Sequence, residues 1–418
     1  MPQPASLAGC IRYALEQQPL IRQAQTDEAI TERTIQIALS NWFPQLALSA
    51  NLTHNTQLSA LPPVSTGAPV RQAFVNTSSI QFSVSQTIFD RDALLAGVTK
   101  EEVREQSRQR RELTSIDIIV NVSKAYYAVL VTENQLTVLA DDIVRLQRNL
   151  EDARSQYRSG VVDKTDYQRA TITLNNVQAE EFQTRELLKA RLSFLKQQMG
   201  YPDARPLELE SDSTSTWENE MRIDTLQRVD YRNRLEFRQA ETERRLQEAS
   251  VHYSQWGFLP TLSAFGAYTL SYQADELPVL YDQSYRGSYI GLRLSLPLFE
   301  GGRRLEEISR ARLELERTEW DIEREKQSID AEFAQALASY KGNLRNYRAL
   351  EENAELAREV YAILQLQYKS GIKSYLDVLT AENDLRSAEA NRTNALYQVI
   401  SGKLDMQKAL GLIRGESP

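Results

Sequence analysis

The strongest constraint on this chain is where proline is missing. Its thirteen prolines leave two stretches, 70–201 and 298–417, without one. Proline inside a helix removes a donor and clashes with the preceding turn, so long proline-free runs rich in Ala, Leu, Glu, Gln and Arg read as uninterrupted helix. At about 1.5 Å per residue, a helix over 91–158 would be roughly 100 Å long, more than a single bulky globular core accommodates. Apolar residues recur at helical spacing within these runs: Ile116, Ile119, Val122, Tyr126, Val129 and Leu130 in the first, Ile329, Phe333, Leu337, Tyr340 and Leu344 in the second. Each stripe asks for neighbouring helices on one side and water on the other. On helices alone, a coiled-coil structural or scaffold protein satisfies the pattern.

The segments between the helices carry a different period. From Leu46, Leu48, Ala50 and Leu52 alternate with Ala47, Ser49, Asn51 and Thr53. Ile80, Phe82 and Val84 alternate with Gln81, Ser83 and Ser85. Leu262, Ala264, Gly266, Tyr268 and Leu270 alternate with Ser263, Phe265, Ala267 and Thr269, and Ile290, Leu292, Leu294 and Leu296 with Gly291, Arg293 and Ser295. These are four strands of period two, joined in pairs by turn-rich loops.

The order of elements is therefore written twice. The first repeat, 1–213, is expected to hold a helix over 5–41, strands 45–54 and 76–89, a long helix 91–158, a hairpin turn 159–165 and a helix 166–199. The second, 214–418, is expected to hold a helix over 220–256, strands 261–271 and 287–298, a long helix 303–369, a turn 370–374 and a helix 375–411. Landmarks repeat as well: Pro44 and Pro260 lead from helix to strand, Phe89 and Phe299 close the second strand of each pair, and "YRSG" from Tyr157 returns as "YKSG" from Tyr368.

Several function classes are excluded. The net charge of -8 and the absence of unmixed Lys/Arg blocks give no footprint for nucleic acid. The single cysteine, Cys10, forms no disulfide within the chain and reads as a small buried filler. The two histidines, His54 and His252, are too dispersed for a zinc constellation, and no cofactor is expected. "FEGGRRLEE" from Phe299 lacks the ending of a phosphate-binding loop, and the acidic pairs Asp141/Asp142 and Glu306/Glu307 read as solvated helix surface, so no enzyme is expected. No run of 18 consecutive apolar residues marks a membrane-spanning helix, and "MPQPASLAG" has no signal-peptide pattern.

Apolar-out, polar-in alternation over about 9–11 residues is the pattern of a transmembrane β-barrel, and it occurs four times here. A bilayer tolerates no sheet edge, so four strands require more strands from other copies of the chain. A dimer supplies eight and a trimer twelve. Eight are filled by side chains, whereas twelve leave an opening, so the homotrimer is preferred.

At this point the residues resemble the outer membrane efflux proteins of the TolC type, most specifically in "YKSGIKSYLDVLTAENDLRSAEANRTNALYQVISGKLDMQKALG" from Tyr368. The resemblance implies a mixed α/β membrane protein: a trimeric 12-stranded barrel in outer membrane lipid, four strands per chain, continued by a long α-helical barrel through the periplasm. It implies an exit duct for efflux or type I secretion, whose partners are a periplasmic adaptor protein and an inner-membrane pump. It also implies a presequence removed from the mature chain.

Helix-to-helix turns need a residue free of Cβ crowding and a new N-cap. Gly160 and Gly371 meet the first need. Thr165 with Gln168, and Ser374 with Asp377, have capping-box spacing. The resemblance assigns the turns, Arg158, Ser159, Gly160, Lys369, Ser370 and Gly371, to adaptor contact. It assigns Tyr368 and Lys373, facing Asp166, to a latch on the periplasmic gate, with Lys373 standing where the family has Arg and so offering a point charge rather than a fork. It assigns Asp377 and Thr380 to a pore constriction, where Thr380 replaces a second aspartate and leaves one ring of carboxylates. The alternative for Asp377 is a helix-capping carboxylate.

Overall fold

The structure, a computed structural model, describes residues 4–58, 74–160, 163–210 and 221–415. The elements run α1 (Leu7–Gln17), α2 (Pro19–Leu39), β1 (Gln45–His54), β2 (Asn76–Phe89), α3 (Arg91–Arg158), α4 (Lys164–Met199), α5 (Leu235–Trp256), β3 (Thr261–Ala274), β4 (Tyr285–Ser295), α6 (Arg303–Lys369) and α7 (Tyr375–Ala409). The long helices α3 and α6 coincide with the proline-free expectation.

Other bounds differ for local reasons. The helix expected over 5–41 is broken at Gln18, which is extended (φ -63°, ψ 126°) because the residue before proline is pushed out of the helical region. Pro19 then starts α2, and Gln18 Oε1 accepts from Leu20 N at 2.8 Å. The helix expected from residue 220 begins only at Leu235. Upstream, Asp224 and Asp230 accept from the backbone of Leu226 and Arg232, drawing the chain into turns instead. β4 stops at Ser295, two residues short of Pro297, which has no N–H for the ladder. β3 extends to Ala274, past the expected end at 271, and α7 stops at Ala409, with Gly411 beyond it at φ +68°.

The four strands form one antiparallel sheet in the order β1-β2-β3-β4. Its register places Leu46, Val84, Gly266 and Ile290 in one row and Leu48, Phe82, Tyr268 and Ser288 in the next, so the four apolar alternations fall on one face. The opposite face carries rows such as Ser49, Gln81, Thr269 and Gly287. A register shift lies between Thr87 and Phe89, where β2 runs toward α3. On the polar face Phe265 lies over Gly291, where an added Cβ would stand 2.8 Å from the ring, and the Arg293 guanidinium stacks 5.2 Å from that ring.

Packing does not follow the duplication. The repeats 1–213 and 214–418 each contribute to both of two compact units: 1–27, 108–240 and 322–418 in one, 28–107 and 241–321 in the other. The physical reason is that helices of one repeat pack on helices of the other. Lys124 pairs with Asp405 at 2.6 Å and Lys408 with Asp117 at 2.7 Å, both joining α3 to α7.

In the first unit the core gathers Cys10, Val122, Tyr126, Val129, Leu195, Met199, Val399 and Met406. Burial pushes the Cys10 thiol up to about 12, which keeps it protonated and unreactive. Residues 4–6 are tied down by a parallel bridge from Ala5 to Leu209, and the Tyr126 hydroxyl donates to the Ala5 carbonyl at 3.4 Å and the Glu210 carbonyl at 3.3 Å. One window of α3 is apolar enough to cross a membrane by composition, but 61% of it is buried inside the chain, so it is core helix. In the second unit Arg104 grips Glu32 through Nε (2.7 Å) and Nη2 (2.8 Å), and Trp42 Nε1 donates to the Ala93 carbonyl at 3.1 Å.

Candidate functional site: an open sheet and two helical hairpin ends

The sheet is incomplete by itself. β1 and β4 are its outer strands, each paired on one side among the described residues. Among the described residues nothing covers its apolar face: Leu46 is 82% exposed, Ile290 93% and Leu292 70%. Leucine rows bare on this scale are stable only against an apolar medium, because each buried side chain is worth about 1.5–3 kcal/mol and each unpaired backbone group in such a medium costs several.

The two hairpin ends share a turn and differ in their caps. In the second, α6 ends at Lys369, the Ser370 hydroxyl donates to the Leu366 carbonyl (3.0 Å), and Gly371 takes φ +75°. Gly371 N and Ile372 N donate to the Tyr368 and Gln367 carbonyls, both at 2.9 Å, closing the turn in the manner of a Schellman motif. Ser374 then opens α7 with both arms of a capping box: its hydroxyl accepts from Asp377 N, and Asp377 Oδ2 accepts from Ser374 N at 3.0 Å.

In the first hairpin α3 ends at Arg158, Ser159 donates to the Ser155 carbonyl, and Gly160 again takes φ +75°. Val161 and Val162, within the expected turn, lie outside the described residues. The expected cap at Thr165 is displaced: α4 begins at Lys164 with Asp163 as N-cap, and Asp163 makes no side-chain capping bond. An N-cap needs extended backbone, which Asp163 has (φ -73°, ψ 156°), whereas Thr165 already lies in the first helical turn.

The expected latch residues are partly assembled within one chain. Tyr368 reaches from α6 to α3, its hydroxyl donating to Gln156 Oε1 at 3.1 Å, and its ring lies 5.8 Å from that of Tyr375. Burial raises the Tyr368 phenol, and the Asp166 charge raises it further. Lys373 is exposed and, among the described residues, makes no ion pair with Asp166. Its charge acts on Asp377, whose carboxyl is held below the usual range first by the Ser374 hydroxyl, then by the Ser374 backbone and by Lys373. Asp377 thus performs the capping role within the chain. Thr380 bonds back to the Leu376 carbonyl at 3.0 Å.

The sequence reading missed a polar knot farther from the ends. Asp142, expected on solvated helix surface, is buried, and its side chain pairs with Arg145 Nη2 at 2.6 Å. Arg145 Nε also pairs with the buried Glu382 of α7 at 2.9 Å, and the guanidinium stacks 5.5 Å from the Tyr361 ring of α6. A signal existed: Leu139, Asp142 and Leu146 follow one another at helical spacing, which puts Asp142 on the apolar stripe of α3.

Comparison with known proteins agrees with this architecture. Residues 10–201 and 231–412 match the family described as Outer membrane efflux protein. Outer membrane protein TolC of Salmonella enteritidis is 24% identical over 406 residues, 94% of this chain and 79% of that protein. Alkaline protease secretion protein AprF of Pseudomonas aeruginosa is 22% identical over 343 residues, 79% of this chain and 68% of the relative. The crystal structure of the outer membrane protein VceC from Vibrio cholerae superposes with a TM-score of 0.74 at 18% identity, covering 97% of this chain and 96% of that one. With a family match across both repeats and an open-edged sheet of the required alternation, the chain belongs to the outer membrane efflux protein family.

Proposed function

We propose that the protein is the outer membrane exit duct of a tripartite efflux or type I secretion system. It conducts cargo passively from a periplasmic adaptor and inner-membrane pump, with no catalytic step of its own. The observation that carries this reading is the sheet: four antiparallel strands with, among the described residues, two outer strands unpaired on one side and a bare apolar face. Three copies closing edge to edge make a 12-stranded barrel with no free edge, apolar toward lipid and lined by Ser, Thr, Gln and Asn. The helices then continue the passage, and the hairpin ends face the adaptor through Arg158, Ser159, Gly160, Lys369, Ser370 and Gly371.

The gate is assigned to the same ends. Tyr368, Asp166 and Lys373 form the latch, supported by the Tyr368–Gln156 bond between the hairpins and by the electrostatic reach of Asp166 to Tyr368. Asp377 and Thr380 line the constriction, with Asp377 ionised at neutral pH because its capping bonds favour the charged form. Extraction tests the assembly: the full-length protein should require detergent to leave the membrane and should remain a trimer afterwards. Recovery as a soluble monomer in detergent-free buffer contradicts it.

A further inference from the structure

Apolar packing in the helical unit is not continuous along the hairpins. One cluster, Leu139, Leu146, Leu174 and Val177, belongs wholly to the first hairpin, α3 and α4. Another, Tyr361, Val378, Ala381 and Leu385, belongs wholly to the second, α6 and α7. The two hairpins share the large core around Tyr126, Leu195, Tyr340 and Val399, and share an apolar cluster again nearer their turns, at Ala153, Ala170 and Tyr375. Between these shared clusters α3 is tied to the second hairpin by the Arg145 knot and by the Asn149 side chain bonded to Tyr361.

The knot is unbalanced in charge and asymmetric in connectivity. Arg145 serves two carboxylates whose side chains are only 6% (Asp142) and 3% (Glu382) exposed. One guanidinium cannot neutralise both, and an unmatched buried charge is costly. Asp142 sits three residues before Arg145 on the same helix, so bonding it ties α3 only to itself. Glu382 sits on α7, so bonding it ties the first hairpin to the second. The groups acting on Asp142 are Arg145 on its own helix and Glu382 and Glu389 on α7; on α6, Tyr361 lies against the guanidinium.

We propose that Asp142 and Glu382 compete for Arg145, so that the charge on Asp142 sets how firmly the first hairpin is held to the second and hence how readily the hairpin ends separate. Arg145 is a positioning residue in this device, and the consequence for conduction rests on the duct reading above. Burial holds the Asp142 carboxyl above its usual range, against the opposing pull of Arg145, whereas Asp377 is held below its own. With a proton on Asp142, Arg145 is left to Glu382, and the link tightens. The sign is that of a carboxyl raised by folding: stability is present at low pH and lost as pH rises through the folded value.

The test uses detergent-purified full-length protein carrying Asp142→Asn or Glu382→Gln, both close in shape to the native residues. The first readout is backbone hydrogen exchange over 142–156 and 361–382. Asp142→Asn should slow exchange by about threefold and Glu382→Gln should accelerate it by about threefold, because they shift the same competition in opposite directions. In planar bilayers conductance should fall for the first variant and rise for the second. Stepwise acidification of the wild type from neutral pH should slow exchange beyond the intrinsic chemical effect, and Asp142→Asn should abolish that response.

Equal-sign or absent exchange effects in the two variants, or superimposable pH profiles for wild type and Asp142→Asn, overturn the proposal. The pH comparison decides the matter even if Glu382→Gln does not assemble. Opposite exchange effects in protein that passes no current uphold the competition at Arg145 and overturn the duct reading alone.

Discussion

The sheet and the helical unit treat the same kind of residue in opposite ways. Leu292 in β4 is 70% exposed, while Leu195 in α4 is fully buried. In the helices Tyr126, Tyr340 and Tyr347 are the largest side chains to be fully buried. In the sheet Leu46, Leu48, Leu52, Leu292 and Leu294 are exposed. The helices build a large core from their own chain, while the sheet awaits lipid on one face and further strands at its edges. The difference separates a soluble helical scaffold from a membrane duct, because a scaffold would leave no strand face of leucines bare and no strand edge unpaired.

Identical substitutions in the two regions should therefore diverge most. Leu195→Ala should destabilise the helical unit by about 3–5 kcal/mol, the cost of a buried cavity, read as an earlier thermal unfolding step. Leu292→Ala should leave that step unmoved. Next in size is a charge on the bare face. Leu292→Arg should cost roughly 2–4 kcal/mol near the bilayer midplane and deplete the membrane-inserted trimer, whereas Arg293→Gln on the polar face should assemble normally. Equal membrane levels for the two would mean the faces are assigned the wrong way round.

Smaller effects separate the hairpin ends. Ser374→Ala removes one arm of a complete capping box and should cost about 1 kcal/mol, measured as faster hydrogen exchange at the start of α7. Asp163→Ala removes no side-chain capping bond and should change exchange at the start of α4 much less. The smallest change is expected from Asp166→Ala with Lys373→Ala. These are outer, screened charges, so single-channel conductance should rise by about twofold or less, and the rise should shrink at high salt.

Much of this was legible in sequence, for reasons that differ by element. β1 and β2 lie at the expected 45–54 and 76–89 because period two, bounded by turn residues, is a local property. The helices over 91–158 and 303–369 were equally local, since a proline-free run of strong helix formers has nothing to stop it. Caps were less legible: Thr165 and Ser374 have similar spacing to an acceptor, yet only Ser374 has the extended backbone an N-cap requires. The Arg145 knot was least legible. Its partners lie 3 and 237 residues away, and only the packing of one repeat against the other shows that the distant one matters.

The central claim is that this chain closes with its own copies into a conducting pore. Single-channel recording of the detergent-purified wild-type trimer in a planar bilayer tests it most directly. Discrete, long-lived conductance steps should appear only when the trimer inserts and should scale with the salt concentration of the bath. Folded trimer that inserts into the bilayer and produces no such steps would contradict it.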